Sequence, residues 1–221
     1  QIQTGNGTLI QSIIGNIMRT IPLNTERYKV PQESQVLDRA KQEMEKYQNN
    51  QELVPLIDDG YFQVGSLGGG NHFIELQEDE EGYLCIMLHS GSRHLGKATC
   101  DYSHEKAREL NRRWYSEVKD EYHLSFLPVS SAEGQQYIHW MNLALDYAFE
   151  NRAHMLEKTC SIVKELIEKH TGHVVEFGEE INCHHNYAAL EHHYDANVWV
   201  HRKGATRVRQ GELAVIPGAM G

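Results

Sequence analysis

Apolar residues recur along this chain with two different periods, and the changes between them mark out the expected elements. Over 33–50 (ESQVLDRAKQEMEKYQNN), Val36, Leu37, Ala40, Met44 and Tyr47 fall at i, i+3/i+4 and i+7. That spacing predicts a surface helix, started by Pro31 and the acidic Glu33. Pro55, Asp58, Asp59 and Gly60 predict a loop, and a strand-like run at 61–67 follows until Gly68, Gly69 and Gly70 break it. Residues 72–77 and 83–88 are expected to be strands joined by the acidic turn 78–82, which makes a hairpin. Helix is expected over 101–120 and again from Glu133 to about His170, as one long helix or a two-helix hairpin. The apolar stripe of that second stretch is Ile138, Met141, Leu145, Phe149, Leu156, Val163, Leu166 and Ile167. Strand character returns at 173–177, 181–183, 196–201 and 213–216. Strands, then helices, then strands predict an α+β fold. The expected arrangement is one domain over 1–221, with mixed strands forming a central sheet or sandwich core and 101–170 inserted as a long helical hairpin.

Composition narrows the class. The chain has 221 residues, 40% hydrophobic and 24% charged, enough to bury a full core. No apolar run approaches the roughly 18 residues of a membrane span, and no secretory signal pattern opens the sequence. The four cysteines (Cys85, Cys100, Cys160, Cys183) form no C-x-x-C pair, so a reducing cytoplasm is the expected compartment. A net charge of −10 argues against binding nucleic acid by bulk attraction, although 201–209 (HRKGATRVR) is locally basic. Fourteen histidines turn attention to metal or phosphate chemistry. The chain opens on Gln1 and closes on the turn-like 217–221 (PGAMG), and is expected to be an internal piece of a longer polypeptide.

Three clusters combine groups able to do such chemistry. In 65–75 (GSLGGGNHFIE), four glycines allow close backbone approach, and Asn71, His72 and Glu75 follow at once. On a strand His72, Ile74 and Leu76 would share one face, and Asn71, Phe73 and Glu75 the other. The plainer reading is a glycine turn before a strand; no helix follows it, so it is neither a Walker loop nor a dinucleotide fingerprint. In 89–93 (HSGSR), an imidazole, two hydroxyls and the fork of Arg93 leave the end of an apolar strand. A polar hairpin end is the alternative, and His94 is expected to be solvated. In 182–187 (NCHHNY), adjacent histidines on a strand point to opposite faces, so one of the pair is expected to meet a metal. His192, His193 and His201 are expected at the surface. Together His72, His89 and His185 offer three neutral imidazoles from separate strands, a set suited to a catalytic Zn, Mn or Fe ion. The asparagines and arginine beside them point to a phosphorylated substrate.

Five segments in order, GSLGGGNHFIE (65–75), LHSGSR (88–93), EINCHHNY (180–187), RKGA (202–205) and IPGAMG (216–221), resemble successive signatures of the RtcB-type RNA-splicing ligases. The resemblance implies an enzyme that joins RNA 2′,3′-cyclic phosphate or 3′-phosphate ends to 5′-hydroxyl ends, with GTP and manganese, through a guanylylated histidine. It implies manganese ligands at His72, His89 and His185, and GTP phosphate contacts from Asn71 and Asn186. It further implies a guanine contact from Glu75, a phosphate contact from Arg93, and a nucleotide pocket lined by Pro217, Gly218, Ala219 and Met220. RNA is the implied partner, in tRNA splicing or RNA repair. The family's Asp-x-x-Cys pattern and its Ser-His-Gly-Ala-Gly-Arg nucleophile segment have no counterpart in these 221 residues. The chain is therefore expected to be the central part of such a ligase, unable by itself to form the GMP adduct. A metal-dependent phosphoesterase and a non-catalytic RNA- or nucleotide-binding module are the alternatives.

Overall fold

A computed structural model describes residues 7–211 together with 213 and 215. They divide into two compact units, Gln1–Val175 and Glu176–Gly221. The first contains helices α1 (Gly7–Thr20), α2 (Gln35–Gln42), α3 (Pro55–Gly60), α4 (Arg93–Arg113) and α5 (Ala132–Thr171), and the hairpin β1 (Phe73–Glu78) with β2 (Leu84–His89). The second contains the hairpin β3 (Asn186–His193) with β4 (Ala196–Lys203). The α+β class holds, but the strands form two separate two-stranded antiparallel sheets in place of a central sheet. The core of the first unit is helical.

Helix α5 organises that core. Its 40 residues run about 60 Å without a break. Ser131 caps its start by accepting from the Gly134 N–H (3.0 Å), and Gly172 ends it in the left-handed region at φ 72°. The buried face is Trp140, Leu143, Ala144, Tyr147, Asn151, Met155, Thr159, Val163 and Ile167. This corrects the expected stripe: Phe149 is 45% exposed, whereas Trp140 and Tyr147 are fully buried. The true seam runs through two polar residues, Asn151 and Thr159, which a hydropathy pattern skips. Trp140 and Tyr147 join a cluster with Leu37, Tyr47, Ile57, Val64 and Leu95. Met155, Val163 and Ile167 join a second with Leu9, Ile13, Ile17 and Ile21 of α1 and its end. Asn151 sits between the two.

The other elements pack onto this helix. α4 and α5 form an antiparallel hairpin, close enough at Gly96 that an added Cβ would lie 3.6 Å from the Ala144 Cβ. α4 begins eight residues before the expected start, directly after the 89–92 turn. α2 is shorter than expected; the chain leaves it through a single 3-10 turn at Met44–Lys46 that lays Tyr47 edge-on against Trp140 (5.1 Å). Pro55 opens the short α3 where a loop was expected, as proline does at a first helical turn. α1, whose Leu9, Ile13 and Ile17 are buried one turn apart, was not anticipated.

Three strand expectations fail outright. The 61–67 run is a succession of turns, with Val64 N donating to Gly60 O (2.9 Å) and Ser66 N to Gln63 O (3.1 Å). Residues 173–177 and 181–183 have no regular structure, and Val174 and Phe177 are exposed. The expected strand at 213–216 lies mostly outside the described residues. β1 and β2 pair in the register Phe73↔His89, Ile74↔Leu88 and Glu75↔Met87, within one residue of the sequence expectation. The inner face of this hairpin, Ile74, Leu76, Ile86 and Leu88, rests on the second cluster. No helix among the described residues is long and apolar enough to cross a membrane.

Candidate metal and nucleotide site

The first unit brings two of the three predicted histidines together. Pairing of Phe73 with His89 puts the end of β2 beside the start of β1, and the His72 and His89 rings meet edge-to-face with centroids 5.4 Å apart. Each ring is oriented by a backbone carbonyl: His72 Nδ1 lies 2.9 Å from Leu67 O, and His89 Nδ1 lies 2.8 Å from Asn71 O. A carbonyl can only accept, so each Nδ1 carries a proton, and in the neutral ring the lone pair is then on Nε2. That is the tautomer a metal-ligating imidazole needs, with the second nitrogen held by the kind of acceptor usual behind metal ligands.

The carbonyl of Leu67 is a junction. It accepts from His72 and also from Ser90 Oγ (2.7 Å) and, at 3.5 Å, from Arg93 Nη1. The glycine before His72 that matters most is Gly68. Its φ is +94°, and an added Cβ would lie 1.7 Å from Arg93 Nη1 and 2.6 Å from His72 Nδ1. Its backbone also holds the loop to the segment after α1, with Leu67 N donating to Pro22 O (2.9 Å) and Asn24 N to Gly68 O (3.0 Å).

Arg93, expected as a phosphate fork, is turned into the protein. Its Nε donates to Ser66 Oγ (3.0 Å) and its Nη2 to Asn24 O (2.8 Å). Burial pulls its pKa below the ordinary arginine value, though an arginine stays charged. Asn71 and Glu75 are exposed on the rim, and Glu75 accepts from Gln77 Nε2 (2.8 Å). His94 is exposed, as expected.

The second unit carries His185 and Asn186 at the open end of its hairpin. Asn186 Oδ1 accepts from Gly204 N (2.8 Å), which fixes the amide so that Nδ2 faces His185 Nε2 at 3.1 Å. An amide NH2 only donates, so the lone pair of His185 is also on Nε2. Ala205 N donates to His185 O (3.0 Å) and closes the hairpin end. Further along, Arg202 grips Glu191 with both nitrogens (2.6 and 3.0 Å), and His193 adds a third contact (3.0 Å). These partners, Arg202 foremost, hold the Glu191 carboxyl down at about 2. His192, His193 and His201 are exposed, as expected.

Within either unit, among the described residues, no group of three or more His, Cys, Asp or Glu side chains gathers as a complete metal site. Pro217, Gly218, Ala219 and Met220 lie outside the described residues. Sequence reasoning missed Asn151, whose carboxamide touches the loops before His72 and after His89. The available signal was a polar residue on the buried seam of a long helix.

Imidazole nitrogens as donors suit a borderline divalent cation and not an oxygen-seeking one such as calcium. The fold is α+β, and its first unit sets two imidazoles side by side. A family profile described as tRNA-splicing ligase RtcB matches residues 9–221. The chain belongs to that family. It is 35% identical to the RNA-splicing ligase RtcB of Escherichia coli (strain K12), over 73% of this chain and 40% of that protein. It is 32% identical to the RNA-splicing ligase RtcB of Mycobacterium bovis, over 73% of this chain and 43% of the relative. Identity is again 32% to the tRNA-splicing ligase RtcB of Pyrobaculum aerophilum, over 73% and 40%. The chain spans about two fifths of the length of these curated relatives.

Proposed function

We propose that this chain is the metal- and nucleotide-binding part of a GTP- and manganese-dependent RNA ligase, which joins a 2′,3′-cyclic phosphate or 3′-phosphate RNA end to a 5′-hydroxyl end. The observation that carries the proposal is the His72–His89 pair, two imidazoles in the metal-binding tautomer with rings 5.4 Å apart, in a chain of the RtcB family. His72, His89 and His185 are the proposed manganese ligands. A bound divalent ion would supply charge to polarise phosphate oxygens and stabilise the charge that develops on them.

The chain's own residues contribute recognition and orientation. The Asn71 and Asn186 amides are proposed to donate to GTP phosphates. A carboxylate at Glu75 matches the two N–H groups on the guanine edge. Arg93 is proposed to reach a phosphate with Nη1, the nitrogen held least by the protein at 3.5 Å from Leu67 O, while its other donors keep the loop in shape. Pro217, Gly218, Ala219 and Met220 are proposed to line the nucleotide pocket. No nucleophile is assigned to these residues. A cytoplasmic setting goes with the same reading.

The test uses the native protein that carries this chain. RNA ends bearing 2′,3′-cyclic phosphate and 5′-hydroxyl are incubated with GTP and Mn²⁺, and joined product is read on a denaturing gel. Joining is expected to require both GTP and Mn²⁺, and to fall about 100-fold or more in His72→Ala and His89→Ala, the loss of several kcal/mol of electrostatic stabilisation. Cyclic-phosphate turnover that needs metal but not GTP would replace the ligase by a phosphoesterase.

A further inference from the structure

We infer that Asn151 is a positioning residue for the His72–His89 pair: its side chain clamps together the two loops that carry them, while touching neither ring. The inference rests on the reading of these histidines as metal ligands.

Asn151 is fully buried halfway along α5, between the two apolar clusters of the first unit. Its Oδ1 accepts from Gly65 N (2.7 Å) and Ser66 N (3.1 Å). Its Nδ2 faces Ser66 O (3.2 Å), Ser90 Oγ (3.2 Å) and Gly91 O (3.0 Å). The orientation of the amide is unambiguous, since backbone N–H groups only donate and carbonyls only accept. One side chain therefore bonds the loop that precedes His72 and the turn that follows His89.

From there to the rings is a short path. Ser66 is bonded to Leu67, whose carbonyl takes the His72 Nδ1 proton; Ser90 follows His89 and sends its hydroxyl proton to the same carbonyl. Moving either loop against the other would break this shared acceptor and release His72 from its tautomer. A scaffold role does not account for asparagine here. The stripe Tyr147, Asn151, Met155 would be continued by an apolar residue, and burying an amide is favourable only when its bonds are made. What an apolar residue could not supply is an acceptor for Gly65 and Ser66 together with a donor for Ser90 and Gly91.

Asn151→Ala and, as a variant that keeps the acceptor for Gly65 and Ser66, Asn151→Asp are compared with Tyr147→Phe. The last removes the buried hydroxyl bond from Tyr147 to Gly60 O (2.7 Å) one turn away, a bond that involves neither Gly65, Ser66, Ser90 nor Gly91. Two readouts are taken on the native protein: the ring-nitrogen tautomers of His72 and His89 by long-range ¹H–¹⁵N correlation without metal, and Mn²⁺ affinity by EPR titration with the metal alone. Both Asn151 variants are expected to show mixed tautomers and about 10- to 100-fold weaker Mn²⁺ binding, as for loss of groups that orient metal ligands. Tyr147→Phe is expected to lose stability and neither of these. Matching behaviour of the Asn151 variants and Tyr147→Phe in both readouts overturns the inference. Mixed tautomers with Mn²⁺ affinity unchanged, both there and in His72→Ala, upholds the positioning of the rings and instead defeats the metal reading.

Discussion

Replacing Gly68 by alanine isolates what holds the histidine loop in shape. Two penalties act at this position. The φ of +94° is strained for any residue with a Cβ, at about 1–2 kcal/mol. The new methyl would also stand 1.7 Å from Arg93 Nη1, so the guanidinium must leave its place. Departure costs at least one of the bonds from Nε to Ser66 and from Nη2 to Asn24, and a hydrogen bond to a charged group contributes about 1.5–3 kcal/mol. Losing one of the two brings the total to about 2.5–5 kcal/mol. Gly70→Ala is the matched control: its φ is +73°, with nothing within 4 Å of an added Cβ, so only the strain of about 1–2 kcal/mol applies. Urea unfolding of both variants gives the comparison directly. A gap of about 1.5–3 kcal/mol between them is expected. Equal destabilisation within about 0.5 kcal/mol, well inside the contribution of one charged hydrogen bond, would refute the account of Arg93 as the loop's anchor.

Three more outcomes follow from individual contacts. Glu191 has its carboxyl lowered from 4.5 to about 2 in the folded hairpin, so its stabilisation is complete above the unfolded value and is lost as pH falls through that interval; Trp199 fluorescence during unfolding should show this acid sensitivity, and Arg202→Ala should remove it. Ser34 caps α2 by accepting from Leu37 N (3.1 Å) and also donates to Glu150 on α5, so Ser34→Ala should destabilise by about 1–2 kcal/mol in thermal or urea unfolding. Asn186→Ala removes the acceptor of Gly204 N and the donor to His185 Nε2; hydrogen exchange at Gly204 should quicken, and the hairpin end should lose about 0.5–1.5 kcal/mol.

The elements legible in advance were those whose pattern is set by neighbours in the chain. The β1–β2 hairpin came within one residue of its expected bounds because strand alternation and the acidic turn with Gly82 are local signals. The extent of α5 was equally close, expected from Glu133 to about His170 and found at Ala132–Thr171, although one helix or two was left open. Its rotation was not: the buried seam includes polar Asn151, and the choice of that face is made by what packs against it. The 61–67 run misled for a related reason. It has the apolar content of a strand, but the N–H groups of Gly65 and Ser66 are satisfied by Asn151, a residue more than eighty positions away, with no strand alongside.

The same division runs through the site. Sequence alone singled out His72, His89 and His185 as candidates, because imidazoles beside glycine and asparagine at strand ends are a chemical pattern as well as a family signature. It could not say how any of them is held. That His72 and His89 lie ring to ring follows from strand register, and that both carry the lone pair on Nε2 follows from the carbonyls of Leu67 and Asn71 reaching their Nδ1 atoms. The inward turn of Arg93 was also hidden, since a guanidinium seeks whichever acceptors the fold provides, and here those are the Ser66 hydroxyl and the carbonyls of Asn24 and Leu67. Residue type sets which chemistry is available. Which lone pair is presented, and which donor is already engaged, depends on hydrogen bonds between segments distant in the chain, and only the folded structure brings those into being.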